Sequence, residues 1–166
     1  MNYVIRAAKP GDLQSIYEMA KLTGGGFTNL PPDKKALSAK LERAEAGFNS
    51  DKEYPADELY LMVLEDLDSG EVRGTCQIFG QVGQRWPFYS YRIGTDSKHS
   101  EQLNRTFHAQ VLMLSNDLNG ASEVGGLFLH PAARAGGLGL LLGRSRYLFI
   151  ARPPARVGDR ILGGLR

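Results

Sequence analysis

The stretch whose reading decides the fold is GGLFLHPAARAGGLGLLLGRSRYLFIA, residues 125–151. It begins in a β-prone apolar run, Glu123 to Leu129, and ends in an apolar helix, Leu138 to about Ala151. Between them lies Arg134-Ala135-Gly136-Gly137-Leu138-Gly139, a match to R-x-x-G-x-G. Glycines allow a sharp turn and bring backbone N–H groups to a ligand with no Cβ in the way. The unpaired N–H groups of a helix start, helped by the helix dipole, favour negative charge. Arg134 adds a charge-assisted donor. The pattern therefore suits a pyrophosphate. Taken alone, it also suits a tight crossover packed closely on a sheet.

Working outward from this loop, Tyr3 to Ala7 reads as a strand, and Asp12 caps a helix carrying Leu13, Ile16, Tyr17 and Ala20 at helical spacing. Thr23-Gly24-Gly25-Gly26 stops that helix, and Pro31-Pro32-Asp33 starts another with Leu37, Leu41 and Ala44 on one face. Apolar runs at Leu59–Glu65 and Val72–Val82, joined by a turn ending in Gly70, predict a hairpin. Further strands are expected at Phe88–Ile93, Thr106–Leu114 and Glu123–Leu129. The order is β-α-α-β-β-β-β-β-loop-α, with neighbouring strands joined by turns. That predicts an α+β fold, a mostly antiparallel sheet flanked by helices, rather than a doubly wound one. A dinucleotide-binding fold would place a glycine loop after its first strand, and a P-loop would carry a lysine and a serine or threonine. Neither description fits.

The chain has 166 residues, 42% hydrophobic and 23% charged, with a net charge of +2. One cysteine, Cys76, excludes an internal disulfide and argues against a cysteine-based zinc site. The three histidines have no metal spacing, so no metal is expected. No basic stripe with interleaved aromatics points to nucleic acid. No run approaches the ~20 apolar residues of a membrane span, and no signal peptide opens the chain, so a cytoplasmic location is expected.

Strand, R-x-x-G-x-G and helix in this late position resemble the coenzyme A loop of the GNAT (N-acetyltransferase-like) superfamily. Lys21-Leu22-Thr23-Gly24-Gly25-Gly26-Phe27-Thr28-Asn29-Leu30-Pro31 is similar to the KTGGGLTSLP segment of arginine N-succinyltransferases. Tyr89–Thr95 is similar to that family's YNYRVGT, Leu114–Asp117 to its LSND, and Ser122-Glu123 with Leu127–Leu129 and Pro131 to its SEL-x-x-LFLDP. Ser145-Arg146 and Phe149 fit its SRFMF. The blocks are collinear over about residues 3–151.

The resemblance implies transfer of a succinyl group from succinyl-CoA to the α-amine of arginine, the start of an arginine degradation route. It implies that Leu127, Phe128 and Leu129 offer backbone to the pantetheine arm, and that Arg134, Gly136, Gly137, Leu138 and Gly139 cradle the phosphates. Gly24, Gly25, Gly26 and Thr28 are expected at the acceptor site, with Arg92, Asn116 and Asp117 as further polar contacts. Local turn chemistry would also account for Asn116 and Asp117. Glu123 is the candidate to take the amine proton through water, or else a solvent-facing strand end. His130, which replaces the family's aspartate, and Tyr147 are weaker candidates, as turn and core residues respectively.

Chains of that family are about double this length, and their proton-donor histidine lies in the other half. The GNAT-like domain, residues 1–151, is thus expected to be incomplete on its C-terminal side, followed by a basic, poorly packed tail, 152–166. Arg160–Leu162 is the one strand-like segment after the helix, so Glu123–Leu129 is expected to carry an open edge. A complementing C-terminal half, a second subunit or a homo-oligomer would cover it. Two other functions stay open: acylation of another amine, and a non-catalytic, partner-binding or regulatory subunit.

Overall fold

The computed structural model describes residues 2–52, 54–152 and 156–164. Its elements are β1 (Tyr3–Ala7), α1 (Leu13–Lys21), α2 (Lys34–Phe48), β2 (Leu59–Asp66), β3 (Glu71–Phe79), β4 (Ser90–Ser100), β5 (Arg105–Ser115), β6 (Ser122–Leu129), α3 (Leu138–Ile150) and β7 (Ile161–Gly163). Five strands form a sheet in the order β1-β2-β3-β6-β7. Every pairing in it is antiparallel except β6 with β7.

The centre of the sheet explains the continuous apolar run of β2. Side chains alternate across a strand. Leu59, Leu61 and Val63 enter a cluster with Ile16, Ala20, Leu37 and Leu41 of α1 and α2. Tyr60, Met62 and Leu64 enter a second cluster with Leu142 and Phe149 of α3. Both faces of β2 are covered, so neither needs polar residues. Leu142 is fully buried, a contribution of about 1.5–3 kcal/mol for such a side chain. Around it, the rings of Phe48, Tyr60 and Phe149 pack with centroids 5.0–5.7 Å apart.

Helix starts follow the sequence in one case and not in the other. Asp33 caps α2, its carboxylate accepting from the Lys35 N–H at 2.9 Å. Asp12 precedes α1 but makes no side-chain cap. Its carboxylate is taken by Arg6, through two bonds of 2.8 Å, and by the Lys9 N–H at 2.7 Å. A bidentate guanidinium outcompetes a neutral helix amide for the same oxygens.

Two expected strands leave the sheet. β4 runs through Gly94 to Ser100 and pairs with β5 alone, as a separate two-stranded ribbon. Val82 and Ala121 mark its base: the Val82 N–H donates to Ala121 O and the Gly120 N–H to Val82 O, both at 2.8 Å. The chain thus departs from the end of β3 and returns beside it, so that β6 pairs directly with β3. Tyr91, Ile93, Leu112, Met113 and Leu114 are exposed on this ribbon.

The open edge expected on β6 is partly closed. β7 pairs with it in parallel, Ser122 with Ile161, Glu123 with Leu162 and Val124 with Gly163. Ser122 is buried and anchors this return: its N–H donates to Arg160 O at 2.8 Å, and its hydroxyl accepts from the Gly158 N–H at 2.7 Å. Within the expected tail, Val157 packs against the α3 cluster and Arg156 donates to Gly47 O and Phe48 O. Residues 153–155 and 165–166 lie outside the described set.

Candidate active site: a cleft along β6

β7 ends at Gly163, opposite Val124, and β6 runs on to Leu129. A bulge sets its course. Thr75 pairs with Phe128 and Gln77 with Gly125, so Gly126 and Leu127 together face the single residue Cys76. Gly126 adopts φ +57, and a Cβ there would stand 2.6 Å from Gln77 Cγ. Only glycine meets both constraints. Thr75 Oγ1 donates to Gly126 O at 3.1 Å, and Arg146 Nη1 donates to Gly125 O at 3.4 Å. With the carbonyls of Gly125 and Gly126 held, Leu127 is left 41% exposed.

Two cavities share Leu127. The first, about 350 Å³, is lined by Gly26 to Asn29 of the α1–α2 connection, Glu123 to Leu127, Arg146 and Tyr147 of α3, and Gly163-Gly164. The second, about 490 Å³, is lined by Leu127 to Leu129 and by Arg134 to Gly139. The residues expected to hold the donor therefore come together around one hollow.

The glycine turn is built as an anion cradle requires. Gly136 and Gly137 have φ +62 and +78, and a Cβ on either would meet nothing within 4 Å. The Leu141 N–H begins the helical ladder by donating to Gly137 O, and the Leu138 N–H reaches Ala135 O at 3.3 Å. The N–H groups of Gly136, Gly137, Gly139 and Leu140 have no hydrogen-bond partner among the described residues. Arg134 lines the same hollow, its Nε donating to Leu129 O at 3.1 Å.

The expected acceptor residues divide. Gly26, Thr28 and Glu123 line the first cavity, whereas Gly24 and Gly25, in left-handed turn conformations, do not. Arg92, Asn116 and Asp117 line neither cavity. Arg92 and Asp117 form an ion pair at the base of the ribbon. Hydrogen bonds from Ser115 and Arg92 hold the Asp117 carboxyl below the ordinary range. His130 accepts from the Ala132 N–H at 3.2 Å in the turn that follows β6. His99 and His108 bond to Thr106 and Ser97 across the ribbon.

Around the cleft, the sequence reading placed Asn29 with Thr28 in the glycine-rich connection but singled out neither Gln77 nor Lys40. Asn29 accepts from Gln77 Nε2 at 3.1 Å, which ties the acceptor-side loop to β3. The other amide atom of Gln77, Oε1, is buried without a partner among the described residues. Lys40 donates to Asn29 O, and burial, with a smaller effect from Arg43, lowers its pKa to about 8. Arg146, part of the Ser145-Arg146 match, lines the first cavity and is treated below. The adjacent glycines 125 and 126, inside an otherwise apolar strand, were the available signal for a bulge.

Among the described residues no helix is long and apolar enough to cross a membrane, and no three His, Cys, Asp or Glu side chains gather as metal ligands.

Comparison with known proteins agrees with this geometry. The family model of the arginine N-succinyltransferase beta subunit matches residues 3–166. A curated relative, arginine N-succinyltransferase subunit beta of Pseudomonas aeruginosa, is 40% identical over 163 residues, which are 98% of this chain and 47% of that protein. The chain therefore spans about half the length of the curated relatives it matches. The solved structure of arginine/ornithine succinyltransferase subunit AI from Pseudomonas aeruginosa superposes with a TM-score of 0.91 at 32% identity, covering 98% of this chain and 49% of that one. A GNAT family acetyltransferase from Staphylococcus aureus, 12% identical, covers 100% of this chain and 88% of its own with a TM-score of 0.51, a likeness of fold alone. The bulged strand, the glycine turn and the match from residue 3 to residue 166 lead to one conclusion: this chain belongs to the arginine N-succinyltransferase beta subunit family and has a GNAT fold.

Proposed function

We propose that this chain is the acyl-CoA-binding half of a cytoplasmic arginine N-succinyltransferase. The enzyme would transfer the succinyl group of succinyl-CoA to the α-amine of arginine. One observation carries the reading: among the described residues no strand pairs with the outer edge of β6 beyond Val124, and the N–H groups of Gly136, Gly137, Gly139 and Leu140 in the turn and helix start that follow have no partner. An extended pantetheine arm can pair along such an edge as an added strand would. The diphosphate falls at the helix N-terminus, where dipole and amides favour it. A backbone N–H at Leu127, next to the bulge, is positioned to polarise the thioester carbonyl.

The transfer forms a C–N bond and breaks a C–S bond. The attacking amine must give up its proton, and the leaving thiolate must receive one. Glu123 lines the first cavity beside the acceptor-side loop, and we assign it the first of these tasks, through water. Gly26, Thr28 and Asn29 form the facing wall and would border the acceptor. The proton for the thiolate is assigned to the portion of the relatives' length that this chain does not span.

That same portion is the partner we infer for the exposed apolar surface. Tyr91, Ile93, Leu112 and Leu114 on the ribbon, and Leu140, Leu141 and Leu148 on α3, lie open to solvent. Apolar surface of this kind marks an interface.

Calorimetric titration of the 166-residue chain with CoA tests the donor site. Saturable binding supports the reading, and no heat at millimolar CoA removes it. Light scattering tests the partner: the chain alone should self-associate, and adding the relatives' remaining half should yield a discrete complex with succinyltransferase activity. A monodisperse monomer that ignores that half would refute the partner assignment.

A further inference from the structure

We propose that Arg146 reads the far end of the acyl group. Its guanidinium pairs with the terminal carboxylate of a dicarboxylic acyl thioester and selects it over an uncharged acyl group of the same length. The inference rests on the acyl-CoA reading above and deepens it by giving acyl-chain specificity to one side chain.

Arg146 lies on α3 and is only 8% exposed, yet it lines the first cavity. No carboxylate forms an ion pair with it among the described residues. Its polar contacts are two carbonyls: Nε donates to Gly143 O at 3.1 Å, and Nη1 to Gly125 O at 3.4 Å. A guanidinium has five N–H donors, so these two bonds leave three without a partner among the described residues. Arginine does not shed its proton on burial, as lysine can. Arg146 lines the cavity, where the carboxylate of an entering ligand can accept from the remaining donors.

The order of groups along the cleft suits a diacid. Arg146 holds Gly125 O, two residues before Leu127 and on the side away from the glycine turn. With the thioester near Leu127, the acyl chain points toward Arg146; the distal carboxylate of a diacid can accept from the guanidinium, and an acetyl group carries none.

The test titrates the wild-type 166-residue chain, Arg146→Met and Arg146→Lys with CoA, succinyl-CoA and butyryl-CoA by calorimetry. Butyryl-CoA keeps the four-carbon length and carries a methyl group in place of the carboxylate. The wild type should bind succinyl-CoA about 10-fold or more tightly than butyryl-CoA. Arg146→Met should erase that preference and leave CoA and butyryl-CoA within about threefold of wild type. Arg146→Lys, a point charge without the planar fork, should retain part of it. Equal weakening of both thioesters in Arg146→Met would mean that the residue only supports the bulge, and would overturn the proposal. So would a wild type that does not distinguish the two thioesters, a comparison that needs no variant to fold. If CoA itself fails to bind the wild type, the donor-site reading falls and this inference with it.

Discussion

Gly137→Ala separates the cost of a backbone conformation from the loss of a ligand contact. Gly137 has φ +78 and ψ 5, and a Cβ there would meet nothing within 4 Å. The cost to folding is therefore conformational, about 1–2 kcal/mol for a side chain held in the left-handed region. For a chain of this size that lowers Tm by about 2–8 °C. The ligand cost adds to it. Gly137 lines the second cavity and its N–H is unpartnered among the described residues, so the methyl group competes with whatever approaches that donor. Losing one charge-assisted hydrogen bond costs about 1.5–3 kcal/mol, or roughly 10- to 150-fold in CoA affinity. Gly70→Ala is the control. Gly70 has φ +73, is equally open, and sits in the β2–β3 turn. Thermal melts should show similar destabilisation in the two variants, while calorimetry shows weakened CoA binding only in Gly137→Ala. If both melt alike and both bind CoA like the wild type, the turn does not touch the ligand and the reasoning fails.

Two further predictions concern the core and the sheet edge. Burial pushes the Cys76 thiol up to about 11, so only roughly one part in a thousand is thiolate at pH 8. A disulfide reagent at that pH should therefore label the chain at the rate of global unfolding, and fast labelling of the folded protein would contradict this burial. Burial also opposes ionisation of Asp12, but the hydrogen bonds from Arg6 and from the Lys9 amide prevail and hold its carboxyl below the usual range. A folded-state pKa below the unfolded value gives stability that is present above about pH 4 and lost as pH falls through the depressed value. Arg6→Met should cost about 1.5–3 kcal/mol at pH 7 and much less at pH 3; equal losses of Tm at the two pH values would refute the ion pair's role.

The glycine turn, the helix after it and the strand before it were legible in the sequence because their causes are local. Glycines at 136 and 137 permit positive φ, and the apolar run from Leu138 has no alternative to a helix of that length. The mixed fold was legible for the same reason: β2 and β3 meet across a tight turn. That Arg134, Gly136, Gly137, Leu138 and Gly139 line one cavity followed too, because R-x-x-G-x-G places them within six positions of one another.

What the tertiary structure alone decided depends on residues far apart in the chain. Nothing near Ser90 or Ser115 reports that β4 and β5 pair only with each other, since that follows from Val82 meeting Ala121. β7 is three residues long and gains strand form only by pairing with Ser122, itself anchored by Gly158 and Arg160. Arg146 stood in the sequence as part of the Ser145-Arg146 match; packing against Gly125, twenty-one positions away, makes it a buried cation on the cleft wall. Propensity and spacing act over a few residues, whereas the position of a charge relative to a cleft depends on which surfaces the packed sheet brings together.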